Sequence, residues 1–204
     1  MHPNPSFRGT PAKQNLDFAR SRSFGILSVN GDNGPVLAHV PFLLSGDGGH
    51  ANLHLARSNA LVQATAGAKA VLAVGGPDAY ISPDWYDVVD QVPTWNYIAV
   101  HLRGVLHQLP QDALEPHLTE LSARFEQRLL PKPVWKPSKM GEGVMDRMMR
   151  MVLPFRLTIT AVDGTWKLNQ NKPVNARQGV IAVLEAQGGT AAEVARAMAA
   201  VAPN

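Results

Sequence analysis

The strongest constraint on this chain is a period of two. From Val36 to Leu44 the residues Val36, Ala38, Val40, Phe42 and Leu44 fall on alternate positions, which gathers them on one face of an extended strand and turns His39 and Pro41 the other way. A helix would scatter that set. The same alternation returns over Ala51 to Leu55, where Leu53 and Leu55 oppose Asn52 and His54. It returns again over Trp95 to Gln108, with Ile98, Val100 and Leu102 opposite Tyr97, His101 and Arg103. Phe24 to Val29 pairs with Val36 to Leu44 through the turn residues Asn30-Gly31 to Gly34, an early hairpin. Further β pattern covers Ala68 to Val74 and Ala79 to Ser82, on either side of Gly75-Gly76-Pro77. Phe155 to Val162, Asp163-Gly164 and Thr165 to Leu168 read as a last hairpin. Strands in antiparallel succession with few interposed helices predict an α+β fold built on a β-barrel.

Helical spacing fills the gaps. Thr10-Pro11 is an N-cap followed by a first-turn proline, opening a helix that runs toward Ser21. Ala60 to Ala66 is a short helical stretch, and Asp112 to Gln127 carries Leu114, Leu118, Leu121 and Phe125 at spacings that should pack on the barrel. Leu130 to Pro137 is a connector. Glu142 to Val152 predicts a helix whose methionines fill the core. Two helices close the chain, Asn175 to Glu185 and Ala191 to Val201, the second opened by a capping box of Thr190 and Glu193. There is no internal repeat, and residues 1–204 read as one domain with C-terminal helices from about residue 173.

Composition removes several chemistries. The chain of 204 residues has no cysteine, so disulfides, thiolate catalysis and cysteine-ligated metals are excluded. Dinucleotide, phosphate-loop, nucleophile-elbow and HExxH motifs are absent too. The net charge of +3 is too small to imply nucleic acid by itself, although residues 120–156 are more basic than the rest and form a solvated face or a phosphate patch. No apolar run of signal-peptide or membrane-span type occurs, so a cytoplasmic protein with no membrane partner is expected.

Three features remain as candidate sites. All three tyrosines and two of the four tryptophans lie between Tyr80 and Tyr97, interleaved with Ser82, Thr94 and Asn96. Such a loop either stacks on a planar, partly polar ligand or plugs the end of a barrel. Arg57-Ser58-Asn59, between a strand and a helix start, suits an anion. His39, His54 and His101 share polar strand faces and would hold a metal only if they converged, so a ligand cleft or subunit contact is the stronger reading. The last two helices have the outline of a helix-turn-helix, but Arg196 is the only cation of the second, and a packing helix fits better.

The blocks AHVPFLL, HLARSN, YISPDWY, VPTWNYIAVHLRG, WKLNQNKP and RQGVIAVLE occur in an order similar to that of the PaiB-type FMN-binding proteins, named for a negative regulator of protease synthesis and sporulation. The resemblance extends from near the N-terminus to about Glu185. It implies a split β-barrel homodimer with FMN in two symmetric clefts between the subunits, and the strand faces of His39, His54 and Tyr97 would point to the flavin cleft or to the partner subunit. It further implies that Arg57 and Asn59 bind the phosphate, with His54 and Ala56 beside them. Tyr80, Ser82, Trp85, Trp95 and Asn96 would border the cofactor, and Lys167, Gln170, Asn171 and Lys172 would close the site, supplied by the partner subunit in one arrangement. The chain departs from the family at Met1-His2 and at Met151-Val152-Leu153-Pro154-Phe155, where Pro154 stiffens the approach to the strand. A regulator is the first function implied, with DNA as a partner for which no motif speaks. A flavin-dependent oxidoreductase and a histidine-ligated metal enzyme are the alternatives.

Overall fold

The computed structural model describes residues 1–64 and 67–201, which form two compact units. One comprises residues 19–74 and 102–161 and holds most of the barrel. Its strands are β1 (Phe24–Gly31), β2 (Gly34–Leu44) and β3 (His50–Ala56), with the adjoining parts of β4 (Ala68–Ile81), β5 (Thr94–Gln108) and β6 (Val152–Lys167). The strand order is β1-β2-β3-β6-β5-β4, closed by the pairing of β4 with β1. Alternation sets the register. The antiparallel β1–β2 ladder aligns Leu27 with Ala38 and Gly25 with Val40, so Leu27, Ala38 and Val40 share the buried face. Phe42 pairs Leu53, which pairs Phe155 across β3 and β6, and all three are fully buried. Gly104 on β5 lets the β6 backbone close in, because a Cβ there would stand 1.9 Å from the carbonyl oxygen of Thr158.

Helix α2 (Leu114–Glu126) follows a short 3-10 turn at Gln111–Ala113 and rests Leu114 and His117 inward. Leu118, Leu121 and Phe125 are only half-buried. Helix α3 (Val144–Met149) is shorter than its sequence pattern predicts, and Met148 and Met151 are exposed. Those methionines therefore do not fill the core. Ala60–Ala64 forms a 3-10 helix, and residues 65 and 66 of the expected helical stretch lie outside the described residues.

The other unit comprises residues 1–18, 75–101 and 162–204. Here α4 (Val174–Gln187) and α5 (Gly189–Ala200) build a core with the ends of β4, β5 and β6, in which Ile81, Tyr86, Leu168, Val180, Leu184, Val194 and Met198 are buried. The buried Arg177 of α4 donates from Nη2 to the carbonyls of Met198 and Val201, which terminates α5. Most of α1 (Ala12–Arg22) also lies here, and Asn15 Oδ1 accepts from Trp166 Nε1 at 2.8 Å.

Three expectations are corrected. β4 runs unbroken through Gly75-Gly76-Pro77, since Gly76 has no room for a side chain against Phe18 and Ile98 and serves packing rather than a turn. β6 continues through Asp163-Gly164 with no hairpin: Gly164 lies under Asn15, whose Oδ1 would be 2.2 Å from a Cβ. Thr190 is already inside α5, whose N-cap is Gly188 at φ 74°, and no side chain among the described residues caps it.

Candidate flavin-binding site

The barrel unit carries the end of β3. His54 is half-buried, its burial lowers its pKa, and its Nδ1 lies 3.2 Å from Nε2 of His117 on α2. Ala56 and Arg57 are exposed beyond it. The chain turns here because the Arg57 N–H donates to the Met151 carbonyl and the Asn59 N–H to the Ala56 carbonyl, both at 2.9 Å. Asn59 Oδ1 in turn accepts from the Leu61 N–H at 3.0 Å, capping the 3-10 helix. The Arg57 guanidinium is braced on one side: Nε donates to the Arg150 carbonyl at 2.5 Å and Nη2 to Gln111 Oε1 at 3.0 Å. Gln111 is itself fixed, its Nε2 donating to the carbonyls of Met149 and Val152. Among the described residues two of the five guanidinium N–H groups are thus engaged, which leaves an oriented, exposed fork for an anion. His39 stands exposed on β2, its ring 6.5 Å from that of Phe24, which is 53% exposed.

The second unit, taken by itself, carries the aromatic stretch. Tyr80 at the end of β4 and Trp95 at the start of β5 are 48% and 53% exposed, with ring centroids 6.1 Å apart at 74°. Lys167 lies beside them, donating from Nζ to Thr94 Oγ1 and to the Trp95 carbonyl. Burial, and then the neighbouring Lys172 charge, hold its pKa below the usual lysine range. Lys172 donates to Gln91 Oε1 and lies 5.4 Å from the Tyr86 ring, while Asn171 is exposed.

Other members of the expected set build the scaffold. Ser82 caps the 3-10 turn Pro83–Tyr86 through Asp84 N–H, and Trp85 is half-buried against the core, its carbonyl facing Gly179 of α4. Asn96 is fully buried and directs Nδ2 at Met198 Sδ. Gln170 is buried with both ends engaged, Oε1 accepting from Leu168 N–H and Nε2 donating to the Trp166 carbonyl. Asn96 and Gln170 are therefore buried within their unit. Among the described residues no group of three or more histidine or acidic side chains is placed to hold a metal ion, so the trio of His39, His54 and His101 forms no such cluster. Sequence spacing missed His117, Gln111 and Arg150, which stand behind His54 and Arg57.

A family model described as "Putative FMN-binding domain" matches residues 1–161. The chain is 28% identical over 182 residues to the Protease synthase and sporulation protein PAI 2 of Bacillus subtilis (strain 168), covering 88% of this chain and 86% of that one. Among solved structures it is similar to the flavocytochrome Anf3 of Azotobacter vinelandii, with TM-score 0.60 and 12% identity over 81% of this chain and 72% of that one. It is also similar to an FAD and heme binding protein of Mycobacterium smegmatis, with TM-score 0.58 and 17% identity over 90% and 80% of the two chains. The barrel and the sequence match together place this chain in the FMN-binding domain family, as a PaiB-like split β-barrel protein with FMN as its cofactor.

Proposed function

We propose that this chain works as a cytoplasmic homodimer that holds FMN at the seam between two copies and serves in negative transcriptional control of the PaiB type. The observation that carries the reading is Arg57, exposed at a strand end yet braced by Gln111 and the Arg150 carbonyl. The phosphate of FMN is a dianion and requires charge-assisted donors that are already oriented. Arg57 supplies them, with Asn59, Ala56 and His54 shaping the turn. The exposed faces of Tyr80 and Trp95 suit the flat, apolar side of a three-ring heterocycle, and Lys167, Asn171 and Lys172 offer cations and an amide to its polar rim. Bound FMN supplies redox chemistry, and these side chains bind and orient it.

Exposed Phe24, Leu37 and His39 lie on the outer face of the β1–β2 hairpin and give a second copy an apolar strip to cover. Likeness to PAI 2 supports the regulatory half of the proposal. Helix α5 buries Val194, Ala195 and Met198 and carries Arg196 as its only cation, so control does not pass through that helix as a DNA reader.

The test is an absorbance titration of the purified protein with FMN. Arg57→Ala should weaken binding by roughly ten- to a hundredfold, the worth of about 1.5–3 kcal/mol for hydrogen bonds to a charged group. Colourless protein indifferent to added FMN would overturn the reading. Sedimentation velocity tests the dimer, and mobility shift on upstream against random DNA at stated salt tests the regulatory role. Turnover of a reduced nicotinamide with an electron acceptor would instead favour the oxidoreductase.

A further inference from the structure

In the barrel unit, α2, the connector at residues 134–137 and α3 enclose a cavity of about 230 Å³ that includes none of the residues assigned to FMN. Leu118, Ala123, Val134, Trp135, Met145 and Met149 give it a mostly apolar lining, to which Glu115, Thr119, Ser122 and Lys136 add polar groups of both charges. Two sets of bonds hold the walls apart. Glu126 Oε2 accepts from the Trp135 N–H at 2.8 Å and from Lys132 Nζ at 2.6 Å, which pins the connector to the end of α2. Gln111 Nε2 on the Met149 carbonyl and Arg57 Nε on the Arg150 carbonyl fix the end of α3.

We propose that this cavity is a binding site for a small neutral bicyclic aromatic of the indole class, and that its occupant adjusts the hold on Arg57. Size selects the class, because a cavity of about 150 Å³ takes benzene and this one takes a second ring. Chemistry selects it too. Trp135 offers a ring edge or face, Met145 and Met149 offer thioether contacts to an aromatic, and Ser122, Thr119 and Glu115 are acceptors for a ring N–H, while the paired signs of Glu115 and Lys136 favour an uncharged occupant. Met149 is the link to the flavin. It lines the cavity, and its carbonyl accepts from Gln111 Nε2, whose Oε1 accepts from Arg57 Nη2. An occupant that shifts Met149 therefore shifts the brace of Arg57. This second half rests on the proposed phosphate role of Arg57, whereas the site itself does not.

The experiment is calorimetric titration of the full chain with indole, with and without FMN. Saturable 1:1 binding is expected, lost at least tenfold in Ala123→Trp, which fills the cavity from an exposed helix position. Circular dichroism and the thermal midpoint of that variant should match wild type. Leu118→Phe, a milder filling, gives an independent check should Ala123→Trp fold poorly. Saturating indole should also change FMN affinity at least threefold in wild type but not in Gln111→Ala. Absence of saturable binding at millimolar indole, or binding indifferent to both filling variants, overturns the site. Indole binding with unchanged FMN affinity overturns the coupling alone. Indole binding by a protein that takes up no FMN supports the site and removes the flavin reading, so the two failures are distinct.

Discussion

His117 couples the stability of the fold to acidity. It sits on the inner side of α2 at 6% exposure, its Nε2 meets His54 Nδ1 at 3.2 Å, and its Nδ1 has no partner among the described residues. Burial pushes its pKa down to about 4, and the nearby His54 adds to the depression. In the unfolded chain the same imidazole titrates near its ordinary value of 6.5. Above that pH both states are neutral and the group contributes no slope. As pH falls from 6.5 toward 4, the unfolded chain takes up a proton that the folded one refuses, so stability is lost over that window and levels off below it. At about 1.36 kcal/mol per unit the ceiling is about 3 kcal/mol. Solvent reaching the half-buried His54 side of the pair screens this to about 1–2 kcal/mol. Urea unfolding at pH steps from 7.5 to 4 measures it, with His117→Leu as the comparison. The variant should lose about 1–2 kcal/mol less than wild type between pH 6.5 and 4, on top of a carboxylate contribution common to both. Equal losses in the two proteins would refute the assignment of the proton to His117.

Three backbone and core substitutions test the packing. Gly104→Ala sets a Cβ 1.9 Å from the Thr158 carbonyl oxygen, a backbone atom that cannot turn aside, and should lower stability by about 2 kcal/mol or more in thermal or urea unfolding. Gly179→Ala pits two effects of known sign against each other. Helix propensity favours alanine by about 1 kcal/mol, but the new Cβ stands 2.5 Å from the Trp85 carbonyl, so net destabilisation with altered tryptophan fluorescence is expected and a gain in stability would contradict the docking of the 83–86 turn on α4. Asn15→Ala leaves the buried Trp166 Nε1 without its acceptor and should cost about 1–3 kcal/mol in the same assay.

The barrel was legible because it depends on alternation, which is a local signal. Leu27, Val40, Phe42, Leu53, Val100 and Leu102 are all buried, on the faces that a period of two assigns to them. Errors gathered where a glycine has two physical uses. Asp163-Gly164 has the composition of a hairpin tip, yet Gly164 is small because Asn15 lies on it, and β6 runs straight through. Gly75-Gly76-Pro77 has the composition of a break, yet Gly76 admits Phe18 and Ile98. Turn and close approach leave the same mark in a sequence, and only the partner, far away in the chain, separates them.

The candidate site divides along the same line between local and distant causes. Arg57 could be picked out because a cation at the junction of strand and helix has a meaning in itself. What turns that cation into an oriented donor lies 54 residues away at Gln111 and 93 residues away at Arg150, and neither position carries a local pattern. Asn96 and Gln170 show the converse. Each is a polar residue beside aromatics in a motif, as a ligand contact would be, but Asn96 points to α5 and Gln170 closes the turn after β6. A motif fixes which residues occur together without fixing which way each faces, and a buried amide with both ends engaged, as in Gln170, serves the scaffold. It follows that substitutions in the WKLNQNKP block should separate by burial. Gln170→Ala should lower the thermal midpoint and leave the FMN affinity of the protein that remains folded unchanged, whereas Lys167→Ala should weaken FMN with little effect on the midpoint. Should Gln170→Ala impair FMN binding in fully folded protein, the block acts on the ligand through its buried members, and exposure is the wrong guide to the site.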